Sequence, residues 1–335
     1  MGVMRKETMM KAWMGIDVSK VTLDVVLMRT EDSQQTQVSN TKAGFHTLEN
    51  FLKKRCRNKA HVCLEATGLY GDAVAEFLYE RGYTVSVVNP ARIKAYGDSQ
   101  LKRNKTDRSD AALIADFCRT QQPAAWHPPA PEVKELRALL RHLDDLQAMR
   151  QQEANRLQSG EQSAPVLAQL QQHLAFLDGQ IDQIKQQIDD HFDQHPPLKH
   201  QRDLLTSIPG IGNTTAGRLL AELRDLAAFE TASQVAAFVG VTPRQHQSGS
   251  SIRRASRISK HGNAALRAAL YMPAVVAQRW NPLVRSLAQR LEARGHCKMS
   301  IIMAAMHKLL HLAFGVLKSD QPFDPLYLEK RLAHA

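Results

Sequence analysis

The chain has 335 residues, enough for about two domains with room for a further element, and its 43% hydrophobic content suits a globular protein rather than a disordered one. No run of 18 apolar residues occurs and the opening MGVMRKETMM lacks the apolar core of a leader, so neither a membrane span nor secretion is expected. The net charge of +11, from 44 basic and 33 acidic residues, suits a polyanionic partner, with an anionic membrane surface or solubility alone as the plain alternatives.

Residues 10–125 read as an α/β region. AWMGIDVSK, VTLDVVLMR and QTQVSN have strand character, with polar punctuation between them. GFHTLENFLKKRC then reads as a helix, HVCLEATG as a strand, GDAVAEFLYERG as a helix and TVSVVNP as a strand, and residues 107–119 form a further helix. Three leading strands followed by alternation predict a mixed sheet with flanking helices. Cys56, Cys63, Cys118 and Cys297 match no metal or C-x-x-C spacing and are expected to be reduced, buried thiols of a cytosolic protein.

Residues 131–200 are helical. Leu136, Leu140 and Leu143 begin one stripe, and residues 159–165 interrupt it. Leu167, Leu170, Leu174, Leu177, Ile181, Ile184 and Ile188 then alternate steps of three and four, the a/d seam of a coiled coil. An antiparallel hairpin is expected, packed within the chain or across a dimer.

Residues 201–320 carry the charge. LLTSIPGIGNTTAGRLL resembles a helix-hairpin-helix, in which Gly210 and Gly212 permit a tight turn and the next helix presents its N–H groups to a phosphate; such turns also merely join helices. Between Glu230 and Glu292 there is no Asp or Glu, while Arg244, Arg253, Arg254, Arg257, Lys260, Arg267, Arg279, Arg285 and Arg290 fall inside that window. A solvated helix face mixes both signs; a window of one sign points to nucleic-acid phosphates. An apolar helix, SIIMAAMHKLLHLAFGVL, follows. His307 and His311 lie one turn apart on it without a third ligand, and the last residues look like a tail.

The acids of the first region carry the chemistry. Asp17 interrupts an apolar strand and Glu65 ends another, positions costly for a carboxylate without a partner or a cation. Asp107 and Asp110 share a face at a helix start, where capping is the plain alternative. Acids on the first strand, on a later strand end and on a following helix are the layout of the RNase H-like nuclease fold. Such a set suits Mg²⁺ or Mn²⁺ and phosphodiester cleavage or transfer. Asp24 and Asp116 are left outside it. In the third region, PRQHQSGSSIRRASRISKHG places Ser248, Ser250, Ser251, Ser256 and Ser259 among arginines. This is either a phosphate-binding loop or the home of a serine nucleophile, which then needs a base or metal from elsewhere.

GIDVSK, LEATG, NKTDRSD and TPRQHQSGSS, in this order and with IPGIG between, closely resemble the DEDD transposases of insertion-sequence family 110, bridge-RNA-guided recombinases related to Piv-type DNA invertases. The resemblance covers residues 12–320. It implies a RuvC-like DEDD nuclease domain (10–125), a coiled-coil dimerisation hairpin (131–200) and a mainly helical C-terminal serine transposase domain (201–320). Asp17, Glu65, Asp107 and Asp110 would bind the metal, and Ser248 would be the nucleophile. Gly210, Gly212, Arg244, Arg253, Arg254, Arg257, Lys260 and Arg267 would hold nucleic acid. The resemblance also implies a structured non-coding guide RNA, donor and target DNA, and a dimer pairing into a tetramer with composite sites. The alternatives are a hydrolytic Holliday-junction-type nuclease and a non-catalytic nucleic-acid scaffold.

Overall fold

A computed structural model describes residues 12–30, 32–56, 60–66, 68, 70–100, 107–160, 163–223, 229–244, 247–248, 252–253, 257–259 and 262–326, without the side chains of 107, 108, 244, 247–248, 252–253 and 257. The chain divides into two compact units, residues 1–128 and 129–335.

The first unit is built on β1 (Ala12–Val18), β2 (Thr22–Arg29), β3 (Ser33–Ser39), β4 (Ala60–Glu65) and β5 (Thr84–Val88). They form one sheet in the order β3-β2-β1-β4-β5. The leading three are antiparallel neighbours, and β1, β4 and β5 run parallel. This is the expected mixed sheet.

Alternation decides its faces. Met14 and Ile16 are buried with Leu48 and Leu52 of α1 (Lys42–Cys56) and Val74 and Leu78 of α2 (Asp72–Glu80). Gly15 and Asp17 point to the other face, which is covered by α4 (Asp107–Gln121). A Cβ on Gly15 would lie 2.1 Å from the Ala111 carbonyl oxygen and 2.3 Å from the Ala115 nitrogen. Glycine is therefore what lets this helix rest on the strand backbone.

One helix was not anticipated: α3 (Pro90–Ser99) follows β5 directly. Its start was written in the sequence, because Asn89 caps it by accepting from the Ala91 N–H at 2.8 Å and Pro90 opens its first turn.

In the second unit α5 (Pro131–Gln158) and α6 (Ala164–Gln194) pack antiparallel. Arg150 pairs with Asp178, His173 lies 3.6 Å from Glu153, and His191 Nε2 meets the Glu132 carbonyl at 2.9 Å. Leu177, Ile181, Ile184 and Ile188 are buried in one core with Leu136, Leu140 and Leu143, while Leu167, Leu170 and Leu174 are half-buried. The base of the apolar seam thus has a partner within its own chain.

The same core continues through α7 (Pro196–Thr206), α8 (Asn213–Leu223), α9 (Ala232–Val239), α10 (Ala264–Trp280), α11 (Pro282–Ala293) and α12 (Lys298–Ser319). No break in the core separates residues 131–200 from those after 200. Among the described helices α12 alone is long and apolar enough to cross a membrane, with a mean hydropathy of 1.6. Here Ile301, Ala305, Leu309, Ala313 and Val316 face the core, and the helix packs on α7, α9, α10 and α11. The tail begins by docking: the Phe323 N–H donates to Ser207 Oγ at 2.8 Å and its ring packs on the core.

Candidate active site

The last registered pair of β1 and β4 is Ile16 with Leu64, so Asp17 and Glu65 are the next residue on each of two adjacent parallel strands. Adjacent strands lie about 4.8 Å apart. Asp17 is two residues beyond Gly15, and Glu65 two beyond Cys63, which packs against Ile114 and Cys118 of α4. Both carboxylates therefore leave the α4 face of the sheet at its carboxyl end.

The direction of α4 follows from two contacts. Gly15 meets it at Ala111–Ala115, and Cys118 Sγ donates to the His61 carbonyl at 3.5 Å, further back along β4. The helix runs against the strands, so its first turn lies over their carboxyl ends. Asp107 and Asp110 precede Ala111 and Ile114 at helical spacing, on the stripe that faces the sheet. Asp17, Glu65 and Asp110 thus share one end of the sheet, with the Asp107 backbone at the helix start above them. The Asp107 side chain lies outside the described residues. Among the described residues no three His, Cys, Asp or Glu side chains are close enough together to hold a metal ion.

The structure adds a carboxylate that the sequence reading left out. Asp24 of β2 is registered directly opposite Asp17. It is only 8% exposed, and Gln37 Nε2 of β3 donates to both its oxygens, at 3.0 and 3.1 Å. Asp24, Val26, Gln37 and Ala111 border a cleft of about 270 Å³. The signal was the alternation of TLDVVLMR, which puts Asp24 and Val26 on the face that α4 covers. Asp116, by contrast, is tied to Tyr96 at 2.7 Å and Arg119 at 2.6 Å. Burial, ahead of its other causes, pushes the Tyr96 hydroxyl above its ordinary pKa.

The thiols are less uniform than expected. Cys63 and Cys118 are buried and Cys56 half-buried, but Cys297 is exposed, and none of the four forms a disulfide. A hydrogen bond with Cys63 and then burial push the Cys118 thiol far up, so Cys118 stays a protonated packing group.

In the second unit, Ser248 lies in the two-residue strand β7 (Gln247–Ser248), paired to β8 (Ile252–Arg253) with Ser248 opposite Ile252. Arg244 of β6 (Pro243–Arg244) is registered with Arg257 of β9 (Arg257–Ile258). The backbone thus pairs Arg244 with Arg257 in one short ladder and Gln247 with Arg253, next to Ser248, in another. Arg254 and Lys260 fall outside the described residues, as do the side chains of Ser248, Arg244, Arg253 and Arg257.

The ladders are held at both ends. Gly240 closes α9 in the left-handed conformation (φ 80°). Asn263 caps α10 by accepting from the Leu266 N–H at 3.1 Å and donates to Glu222 of α8 at 2.8 Å. Arg267 donates to the Val239 carbonyl at 2.9 Å, a bond that ties α10 to the end of α9. Gly210 has a packing reason: at φ 106° its missing Cβ would lie 2.7 Å from that of Ala277 in α10. Gly212 faces open space at the exposed start of α8. His307 and His311 stack with ring centres 4.3 Å apart, and burial lowers the pKa of both; among the described residues no third metal ligand joins them.

Known proteins place this pairing of an acid-bearing sheet with a helical unit. A family model described as a transposase, of the DEDD IS110 type, matches residues 14–160, and one described as a transposase of the IS116/IS110/IS902 family matches residues 202–289. The class is that of DNA transposases and recombinases. The pilin gene-inverting protein of Moraxella bovis is 34% identical over 94% of this chain and 98% of its own length, and that of Moraxella lacunata 33% over the same shares. The transposase of element IS1111A from Coxiella burnetii is 26% identical over 56% of the chain and 58% of its length. The chain belongs to the IS110 family of transposases.

Membership of a DEDD family suggests dependence on a divalent metal. The donor chemistry fits: carboxylates alone, at one end of a sheet, are the oxygen ligands that Mg²⁺ or Mn²⁺ takes.

Proposed function

We propose that the protein is an RNA-guided DNA recombinase that excises and inserts a mobile element through a transient phosphoserine link. The observation that carries the reading is the meeting of β1, β4 and the start of α4, which puts Asp17, Glu65 and Asp110 at one end of the sheet with Asp107 above. In this reading the sheet is RuvC-like, and these four residues hold one or two divalent ions. When bound, the ions supply charge neutralisation at the attacking and leaving oxygens.

The chain's own part is the nucleophile and the grip. Ser248 Oγ forms a bond to a DNA phosphorus as the bond from that phosphorus to a deoxyribose oxygen breaks. The serine proton passes to solvent or a carboxylate, and the departing sugar oxygen becomes a hydroxyl. In the reverse step the hydroxyl of another strand attacks the phosphoserine, which restores Ser248 and joins the strands. Arg244, Arg253, Arg254, Arg257 and Lys260 hold phosphates beside it, and Arg267 fixes the helix that follows. The acids and Ser248 lie in different units, and the reading takes a composite site assembled from protomers, dimers pairing into a tetramer, with the half-buried seam residues Leu167, Leu170 and Leu174 available to join them. Base pairing by a structured non-coding RNA supplies the sequence specificity for donor and target DNA, and the protein reads backbone and shape. A relative named for inverting a pilin gene and another named as a transposase of an insertion sequence, both bacterial, support a nucleoid setting.

A denaturing gel of labelled donor DNA tests the mechanism. A protein–DNA adduct is expected with Mg²⁺, absent in Ser248→Ala. Cleavage without an adduct establishes the hydrolytic nuclease instead, and unaltered activity in Asp17→Ala and Glu65→Ala establishes a scaffold.

A further inference from the structure

Four of the twelve exposed large apolar side chains among the described residues lie on one helix. On α10, Leu266, Leu270, Pro273, Ala274 and Ala277 face the core. Met272, Val275 and Val276 lie away from that face and Trp280 at its flank, all four exposed. Trp280 is the extreme case, 63% exposed at the end of the helix, with the Arg279 guanidinium 5.0 Å from its ring centre. A large indole left in water calls for a partner.

The surroundings say what kind. Asn281, the next residue, is fully buried. Its Oδ1 caps α11 by accepting from the Leu283 and Val284 N–H groups at 3.1 and 3.2 Å, and its Nδ2 donates to the Pro209 carbonyl at 3.3 Å. Gly210 rests on Ala277, one turn earlier. The glycine turn between α7 and α8 is therefore clamped against the last turn of α10, the turn that carries Trp280, and the start of α8 at Gly212–Thr214 is exposed. Arg279 and Arg285 are exposed, among the described residues neither has a carboxylate partner, and the sequence from 231 to 291 contains no acid. An apolar face meant for a protein of ordinary charge gains nothing from that one-sided field. A nucleic-acid strand gains at both ends of each nucleotide: the base stacks on an aromatic ring while arginines and helix N–H groups neutralise its phosphate.

We propose that Trp280 is a base-stacking residue, and that Arg279, Trp280 and the start of α8 form a contact for an unpaired nucleotide, apart from the serine segment. The inference rests on the reading of the chain as a nucleic-acid enzyme and adds a named surface to it. DNA and RNA share the required chemistry, an exposed base with its phosphate, and the experiment separates them.

The test uses the full chain, its Trp280→Ala and Trp280→Phe variants, and fluorescein-labelled oligothymidine and oligouridine of about 20 nucleotides, with a blunt duplex as reference. Stacking predicts that Trp280→Ala weakens binding to one single strand about 5- to 100-fold, that Trp280→Phe recovers most of the loss, and that duplex affinity changes little. The strand showing the loss identifies the natural ligand. Tryptophan emission of the wild type should fall on binding, and less so in Trp280→Phe, since Trp13 and Trp126 are packed against the first unit's core. Equal affinities in wild type and Trp280→Ala overturn the proposal. So does a change of oligomeric state in Trp280→Ala with strand affinity intact, which assigns the face to a protein. A wild-type protein that binds neither strand nor duplex removes the enzyme reading itself, a different result from a silent Trp280.

Discussion

The two units solve the placing of chemical groups in opposite ways. In the first, the acids sit on regular elements whose positions are fixed by backbone: paired strands set Asp17 beside Glu65, and the bare Gly15 lets α4 bring Asp110 down to the same end. In the second, Ser248 and its arginines sit on strands of two residues each. Among the described residues these are anchored at their ends, by Gly240 and by the Asn263–Glu222 bond. A carboxylate cluster must resist its own repulsion, so it needs a stiff frame; a group that meets a long flexible substrate can be held by its roots alone.

Four substitutions put this contrast at risk. The largest effect is expected from Asp17→Asn, which should lower strand cleavage about a hundredfold or more while leaving nucleic-acid affinity near wild type, as read by gel assay and anisotropy. Gly15→Ala should come next. Its methyl cannot be accommodated against the Ala111 carbonyl, and a loss of about 3 kcal/mol is expected in denaturant unfolding. A stability equal to wild type would show that α4 is not seated on the strand.

Asn263→Ala removes a cap and a bond to Glu222, and should cost about 1–2 kcal/mol of stability. If the serine segment is held by its roots, adduct formation falls further than this loss of folded protein accounts for. The smallest effect concerns pH. Burial depresses the pKa of His307 and His311 below the ordinary 6.5, so the unfolded chain takes up protons that the folded chain refuses. Their contribution is complete above about pH 6.5 and is lost as the pH falls through the folded values. The melting temperature should drop on acidification, and His311→Phe, which also removes a buried Nε2 without a partner, should flatten that drop.

Much of the first unit was legible because strand alternation and the isolated acids Asp17 and Glu65 stand out in apolar runs. The helix at Pro90 is signalled only by its Asn89-Pro90 cap, because the sequence after it has no strong apolar periodicity to mark a helix. Asp24 does not stand out in the sequence, since only strand register shows that it is opposite Asp17 on the neighbouring strand. The seam of α6 was visible from spacing alone, but whether its partner was α5 or another chain depends on the loop between them and on packing that periodicity does not encode. Gly210 illustrates the reverse: it was weighed as a phosphate turn, and its nearest obligation is to Ala277.

The contact at Gly15 has one further consequence. With no side chain between strand and helix, nothing soft remains there to absorb sequence drift at Ala111 or Ala115. A bulkier residue at either position would lift the helix start from the sheet by the width of a methyl group. Reaction rates are sensitive to displacements of about an ångström, so this seam should act as a calibration point: lineages that keep the chemistry can vary the helix's outer surface freely, but not this thin line of backbone.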